Sequence, residues 1–262
     1  MASQVSDNHT ITSVQTRKAI TTAFKVKRPI FLWGPPGIGK SEVVAEIAEE
    51  MGGAIIDLRM AQMEPTDIRG IPYFNKDINK MDWAPPIDLP TVEEASKYPI
   101  VVLFLDEMNS AAPSVQAAAY QLVLDRKVGK YELPDNVVLV AAGNREGDKG
   151  VTYRMPAPLA NRLVHLEMRV DYDSWLQWAT ENRIHTDIIG YISFAKQDLY
   201  DFDPKSISRS FATPRSWTFV SELLDDGLAD TTTTDLVAGT IGEGLAVKFM
   251  AHRKIASRMP NP

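Results

Sequence analysis

Five polar residues stand where apolar runs end, and together they could work on a phosphate: Lys40, Ser41, Asp106, Glu107 and Asn144. Lys40 and Ser41 close the stretch GPPGIGKS, which fits the pattern G-x-x-x-x-G-K-S. In such a loop, glycines let successive backbone N–H groups turn toward phosphate oxygens. The run Gly34, Pro35, Pro36, Gly37, Ile38 and Gly39 would form it, with Glu42 in the first turn beyond. The helix that follows adds partial positive charge at its start. Lys40 would reach the β- and γ-phosphates of a nucleotide, and the Ser41 hydroxyl would bind Mg²⁺. Asp106 and Glu107 end YPIVVLFLDE. Asp106 would hold Mg²⁺ directly or through water, and Glu107 would orient or deprotonate the attacking water. Asn144 ends NVVLVAAGN, and its amide could hold that water against the γ-phosphate. Taken alone, the acidic pair also reads as a strand-end cap, and Asn144 as a turn residue.

These residues need strands before them and helices after them. RPIFLWG reads as a buried strand, and KSEVVAEIAEEMG as a helix with Val43, Val44, Ile47, Ala48 and Met51 on one face. GAIIDLRM, YPIVVLFLDE, NVVLVAAGN and RLVHLEMRV read as further strands, and SVQAAAYQLVLDRK as a helix. Strand and helix in alternation predict an α/β domain with a parallel sheet. From SWLQWATEN onward only helices are predicted, among them the unbroken stretches TDIIGYISFAKQDLY and LVAGTIGEGLAVKFMAHRK. DTTTTD, residues 230–235, reads as a capping turn. The domains expected are 1–171, an α/β core, and 172–262, a small helical one.

Bulk properties narrow the function. The 262 residues carry a net charge of -6, which argues mildly against a protein that simply coats nucleic acid or anionic membrane. There is no cysteine, so disulfides and Cys-based zinc sites are excluded and a reducing compartment is expected. His9, His165, His185 and His252 are scattered without metal-ligand spacing. The N-terminus MASQVSDNHTITSVQTRK has no apolar signal core, and no run has the length of a membrane span. A cytoplasmic protein is expected.

In order and spacing, Walker A GPPGIGKS, Walker B VVLFLDE and sensor-one AAGN resemble those of the AAA+ ATPases. The resemblance implies a P-loop NTPase fold with a parallel-sheet α/β core and a small all-helical lid domain. More narrowly the chain resembles the MoxR and dynein-related branch, including NorQ- and CbbQ-type ATPases. EPTDIRGIPYFNKDINKMDWAPP is similar to that branch's segment with a hairpin inserted into the second helix, about 71–86 here. DEMNSAAPSVQAAAYQLVLDRKV and YRMPAPLANRLVHLEM are similar to two more of its stretches. KVGKYELPDN, about 127–136, suggests its second hairpin, before sensor one. Ser110 and Asn161 depart from the branch, which often has Arg and Asp there.

The resemblance implies ATP and Mg²⁺ as ligands and self-assembly into a ring, usually a hexamer, with ATP between subunits. Arg162 in ANRL matches the arginine finger that serves the neighbouring subunit, and Arg154 in TYRMP is the other candidate. Arg215 in FATPRSW matches sensor two, at the start of a lid helix. Phe74 and Trp83 in the hairpin read equally as partner contacts or as local packing. The implied role is chaperone-like remodelling or activation of a client, with a von Willebrand A-type or metallopeptidase-like adaptor as a plausible partner. The chain is expected to end after its lid without a further fused domain. Two rival readings stand beside it. One is a nucleic-acid-stimulated motor, whose best support is the basic KFMAHRKIASR. The other is a low-turnover switch in which ATP sets a binding conformation.

Overall fold

A computed structural model of the chain describes residues 10–145, 147–148, 152–225 and 230–256. His9, Ser257 and Arg258, singled out above, lie outside them. The described residues divide into two compact units, residues 10–34 with 40–168, and 35–39 with 169–256.

The first unit follows the alternation of the sequence. It runs β1 (Thr10–Ile11), α1 (Ser13–Lys25), β2 (Ile30–Trp33), α2 (Lys40–Glu50), β3 (Ala54–Arg59) and the short α3 (Pro65–Arg69). A hairpin of β4 (Ile71–Asn75) and β5 (Lys80–Ala84) comes next, then α4 (Val92–Ala95) and β6 (Val101–Asp106). The unit continues through α5 (Pro113–Asp125), a second hairpin of β7 (Lys127–Val128) and β8 (Tyr131–Glu132), β9 (Val137–Gly143), α6 (Ala157–Ala160) and β10 (Val164–Met168). Six strands form one parallel sheet in the order β1-β10-β2-β9-β6-β3. Central β6 and β9 are buried along their lengths, except for the partly exposed Asp106. That explains why they are nearly all apolar rather than alternating. Phe31, Leu103, Leu105, Ala118 and Leu122 are among the fully buried residues of this core. β1 and α1 were not expected. A two-residue strand is too short to show a period, and α1 is set locally by a Thr12–Gln15 capping box.

The second unit's regular structure in its described C-terminal part is helical, without a strand: α7 (Tyr172–Glu181), α8 (Thr186–Phe194), α9 (Pro214–Asp225), α10 (Asp230–Ile241) and α11 (Glu243–Ala256). The expected fold class, an α/β parallel-sheet core plus an all-helical region, is therefore observed. Three local expectations need correction. DTTTTD is not a turn but the first turns of α10, where Thr233 is 2% exposed. The stretch from Leu236 to Lys254 is two helices, parted by Gly242 at φ +92°. TDIIGYISFAKQDLY likewise breaks, with α8 ending at Phe194 and a 3-10 turn at Lys196–Leu199.

The units part at Met168 and Arg169 rather than at Asp171 and Tyr172. A larger difference is that Pro35–Gly39 groups with the helical unit, not with 1–171. Local bonding explains it. The Arg215 N–H donates to the Gly37 carbonyl at 3.2 Å, and the Thr213 side chain fills the space beside Gly37.

Trp217 centres the helical core. It is fully buried, meets Phe249 edge-on at 5.4 Å between ring centres, and donates its indole N–H to the Asp198 carbonyl at 3.0 Å. Trp217→Ala is expected to cost about 3–5 kcal/mol. A thermal melt reads this as a lowered midpoint, and an unchanged midpoint would remove Trp217 from the core.

Candidate functional site

The parallel sheet brings the sequence motifs to one edge. β2, β9 and β6 are neighbours running in the same direction, so Gly34, Asn144 and Asp106 all arrive at their C-terminal ends. Ligands of open α/β sheets bind at this edge. The Gly34 N–H donates to the Gly143 carbonyl at 3.3 Å, tying the first residue of the loop to the end of β9. Lys40, 9% exposed, opens α2. Its Nζ donates to the Gly34 carbonyl at 2.7 Å and to Asn144 Oδ1 at 3.4 Å. The Ser41 hydroxyl donates to Asp106 Oδ2 at 3.2 Å. Lys40, Ser41, Asp106 and Asn144 are thus joined in pairs by hydrogen bonds, although they come from three separate stretches.

Asp106 uses its other oxygen locally, since Oδ1 accepts the Glu107 N–H at 2.8 Å. That bond accompanies an unusual backbone: Glu107 lies at φ 54°, ψ 32°, the left-handed region. Such a conformation in a non-glycine residue is strained, and strain of this kind clusters at functional sites. Glu107 is exposed beyond the strand end, and Glu42 is exposed in the first turn of α2.

The loop itself bends where its glycines allow. Gly37 and Gly39 have φ of +74° and +87°. Ile38, between them, is buried, so only its backbone is available to a ligand. Pro36 is partly buried and Pro35 buried. Arg215 is the second residue of α9, after Pro214, and is exposed. A reciprocal cap sets that helix start: the Ser216 N–H donates to Thr213 Oγ1 at 3.1 Å, and the Thr213 N–H to Ser216 Oγ at 2.7 Å.

Arg162 is not gathered with the others. It is exposed and lies two residues before β10, whose Val164 pairs with Ile30 at the start of β2. The sheet edge that carries Arg162 is therefore opposite the edge that carries Gly34. Six residues of strand separate these levels, on the order of 20 Å. Arg162 there lines a cleft of about 460 Å³ with Arg28, Lys27 and Asp125. Arg154 is also exposed, but it follows Tyr153, whose N–H donates to the Asn109 carbonyl at 2.7 Å near the end of β6.

Two residues were given no role by the sequence, although Asn109 lies within the quoted run DEMNSAAPS. Asn109, 2% exposed, donates Nδ2–H to the Asn144 carbonyl at 2.7 Å and accepts the Asn144 N–H at 3.2 Å. Asp57, on β3, has its carboxyl held above the ordinary range, first by desolvation and then by the charge of Asp106, with Arg59 opposing. The only sequence signal for Asp57 is a lone acid inside an apolar strand.

The first hairpin leaves Phe74 54% and Trp83 41% exposed. Phe74 pairs with Met81 and Pro72 with Trp83, so all four lie on one face. Lys130, at the turn of the second hairpin, reaches Asp82 at 2.6 Å. That bond leads in holding the Asp82 carboxyl below its ordinary range. Among the described residues no cluster of three or more His, Asp or Glu could hold a metal alone, and no helix is long and apolar enough to cross a membrane.

Comparison with known proteins matches this architecture. The chain is 26% identical to Midasin of Giardia intestinalis over 195 residues, 69% of this chain but about 4% of Midasin's length. A single-residue variant of Thermotoga maritima RuvB is similar in structure with a TM-score of 0.51 at 19% identity, over 92% of this chain and 70% of that one. A Cytophaga hutchinsonii protein is similar over 96% of this chain and 91% of its own, at 13% identity and a TM-score of 0.49. The RuvB likeness bears on the fold alone, and nothing is built on the other. The model of the family described as "ATPase family associated with various cellular activities (AAA)" matches residues 30–165, more than half of the chain, and the chain belongs to that family.

Proposed function

We propose that the chain is a subunit of a cytoplasmic, ATP-hydrolysing ring of the MoxR and dynein-related type, usually hexameric, that remodels or activates a client protein. The observation that carries the ATPase reading is the bonded set Lys40, Ser41, Asp106 and Asn144 beside Glu107. Family membership supports the same reading.

The residues divide the work. Backbone N–H groups of the loop and the start of α2 bind the phosphates, and Lys40 contributes its charge. Ser41 and Asp106 present hard oxygens side by side, a donor set that suits Mg²⁺ with phosphate and water as its other ligands. When bound there, Mg²⁺ neutralises phosphate charge. Glu107 accepts the proton of the attacking water, and Asn144 orients that water. Arg162, on the far edge, serves the nucleotide of a neighbouring copy, and Arg215 senses the nucleotide within its own chain. The client, and a von Willebrand A-type or metallopeptidase-like adaptor, rest on resemblance to the branch.

The test is the ATPase rate per subunit against protein concentration, with Mg²⁺ at modest salt. A steep rise to a plateau is expected, because each site needs a second copy. A flat, measurable rate would mean that each chain hydrolyses alone. A flat rate near zero would favour the switch reading. DNA stimulation that fades with salt would favour a nucleic-acid motor.

A further inference from the structure

We infer that Asn109 is a positioning residue for ATP turnover: its side chain fixes Asn144, and so fixes where the water-holding amide stands. The inference rests on the ATPase reading above and deepens it. Both polar atoms of the Asn109 side chain are spent on the backbone of one residue. Nδ2–H donates to the Asn144 carbonyl at 2.7 Å, and Oδ1 accepts the Asn144 N–H at 3.2 Å. This two-point clasp resembles a strand pairing, and it restrains the peptide units on both sides of Asn144. Asn144 is the residue just past the end of β9, where ladder bonds no longer hold the backbone.

The surroundings are built for the clasp. A Cβ at Gly143 would come within 2.1 Å of Asn109 Oδ1 and 2.8 Å of the buried Phe31 ring, so only glycine leaves room there. The Asn109 carbonyl is itself held by the Tyr153 N–H at 2.7 Å. With Asn109 2% exposed, water does not compete for these bonds. Asn109 also sits two residues after Glu107, in the 3-10 turn Met108–Ser110. The same short turn therefore mounts the carboxylate that activates water and, through the clasp, the amide that orients it.

Asn109→Asp is the sharpest variant. It keeps the shape and the acceptor but sets an oxygen against the Asn144 carbonyl. Affinity for a fluorescent ATP analogue is expected to stay within about twofold, while kcat falls roughly tenfold or more, as a displaced catalytic group implies. In an Asn144→Ala background the same substitution should lower kcat no further, because the group being positioned is gone. Asn109→Ser, which removes both bonds without adding charge, should show the same pattern and decides the matter if the Asp variant fails to fold. Parental kcat in a folded variant overturns the inference. So does a loss that multiplies with that of Asn144→Ala, or one that appears equally in nucleotide affinity. If the parent chain shows no turnover at any concentration, the ATPase reading falls first and the inference with it.

Discussion

Glu107→Gln is expected to bind Mg-ATP as well as the parent chain and to hydrolyse it at least about a hundredfold more slowly. The argument is one of chemistry at fixed shape. Glutamine keeps the size of the side chain and its hydrogen-bonding reach but cannot take a proton from water. Binding should survive, because the phosphate ligands proposed above are Lys40 and the loop backbone, and Asp106 keeps its bonds to Ser41 and to the N–H of residue 107. Single-turnover ADP formation measures the loss, and a fluorescent ATP analogue measures the affinity. Normal turnover would move the base to another residue. Loss of binding would show that the carboxylate acts on the ground state.

Arg162→Ala is expected to lower turnover by about a thousandfold or more without weakening ATP binding, the scale set by trans arginines in related phosphoryl transfer. The expectation follows from the sheet. Arg162 stands at the edge opposite Gly34, so it does not serve the loop of its own chain unless the sheet is unmade. Mixing gives the decisive experiment. Arg162→Ala chains retain a sound loop, and Lys40→Ala chains retain a sound arginine. Each alone should be inactive. Mixed, they should regain measurable activity, since some sites then pair a sound loop with a sound arginine. Failure to complement, with both variants folded and assembling, would sink the trans role and turn attention to Arg154, which lies nearer its own strand ends.

What could be read from the chain was local. GPPGIGKS carries its glycines, lysine and serine within eight residues, and the apolar runs before Asp106 and Asn144 state their own burial. Their convergence followed from parallel strands, which bring the ends of separate runs to a single edge. The Asn109 clasp was invisible because it joins positions 35 residues apart, and an asparagine in DEMN looks like any other polar turn residue. The grouping of Pro35–Gly39 with the helical unit depends on Thr213 and Arg215, far along the chain. DTTTTD misled because a threonine run suits a cap by propensity, while burial of Thr233 draws it into a helix. The two halves of the LVAGTIGEGLAVKFMAHRK stretch looked continuous because glycine is tolerated within helices, and its positive φ is not written in its letter.

The left-handed backbone at position 107 bears on how this chain could be engineered. An L-residue there holds its φ of 54° against steric resistance of roughly 1–2 kcal/mol, and glycine would not. A screen for thermostability alone would therefore rank Glu107→Gly among its better substitutions. Its product would be a sturdier protein that grips nucleotide and does not consume it. Stabilising this chain and keeping it working are opposed aims at that position, and a thermostable working version must draw its gains from elsewhere.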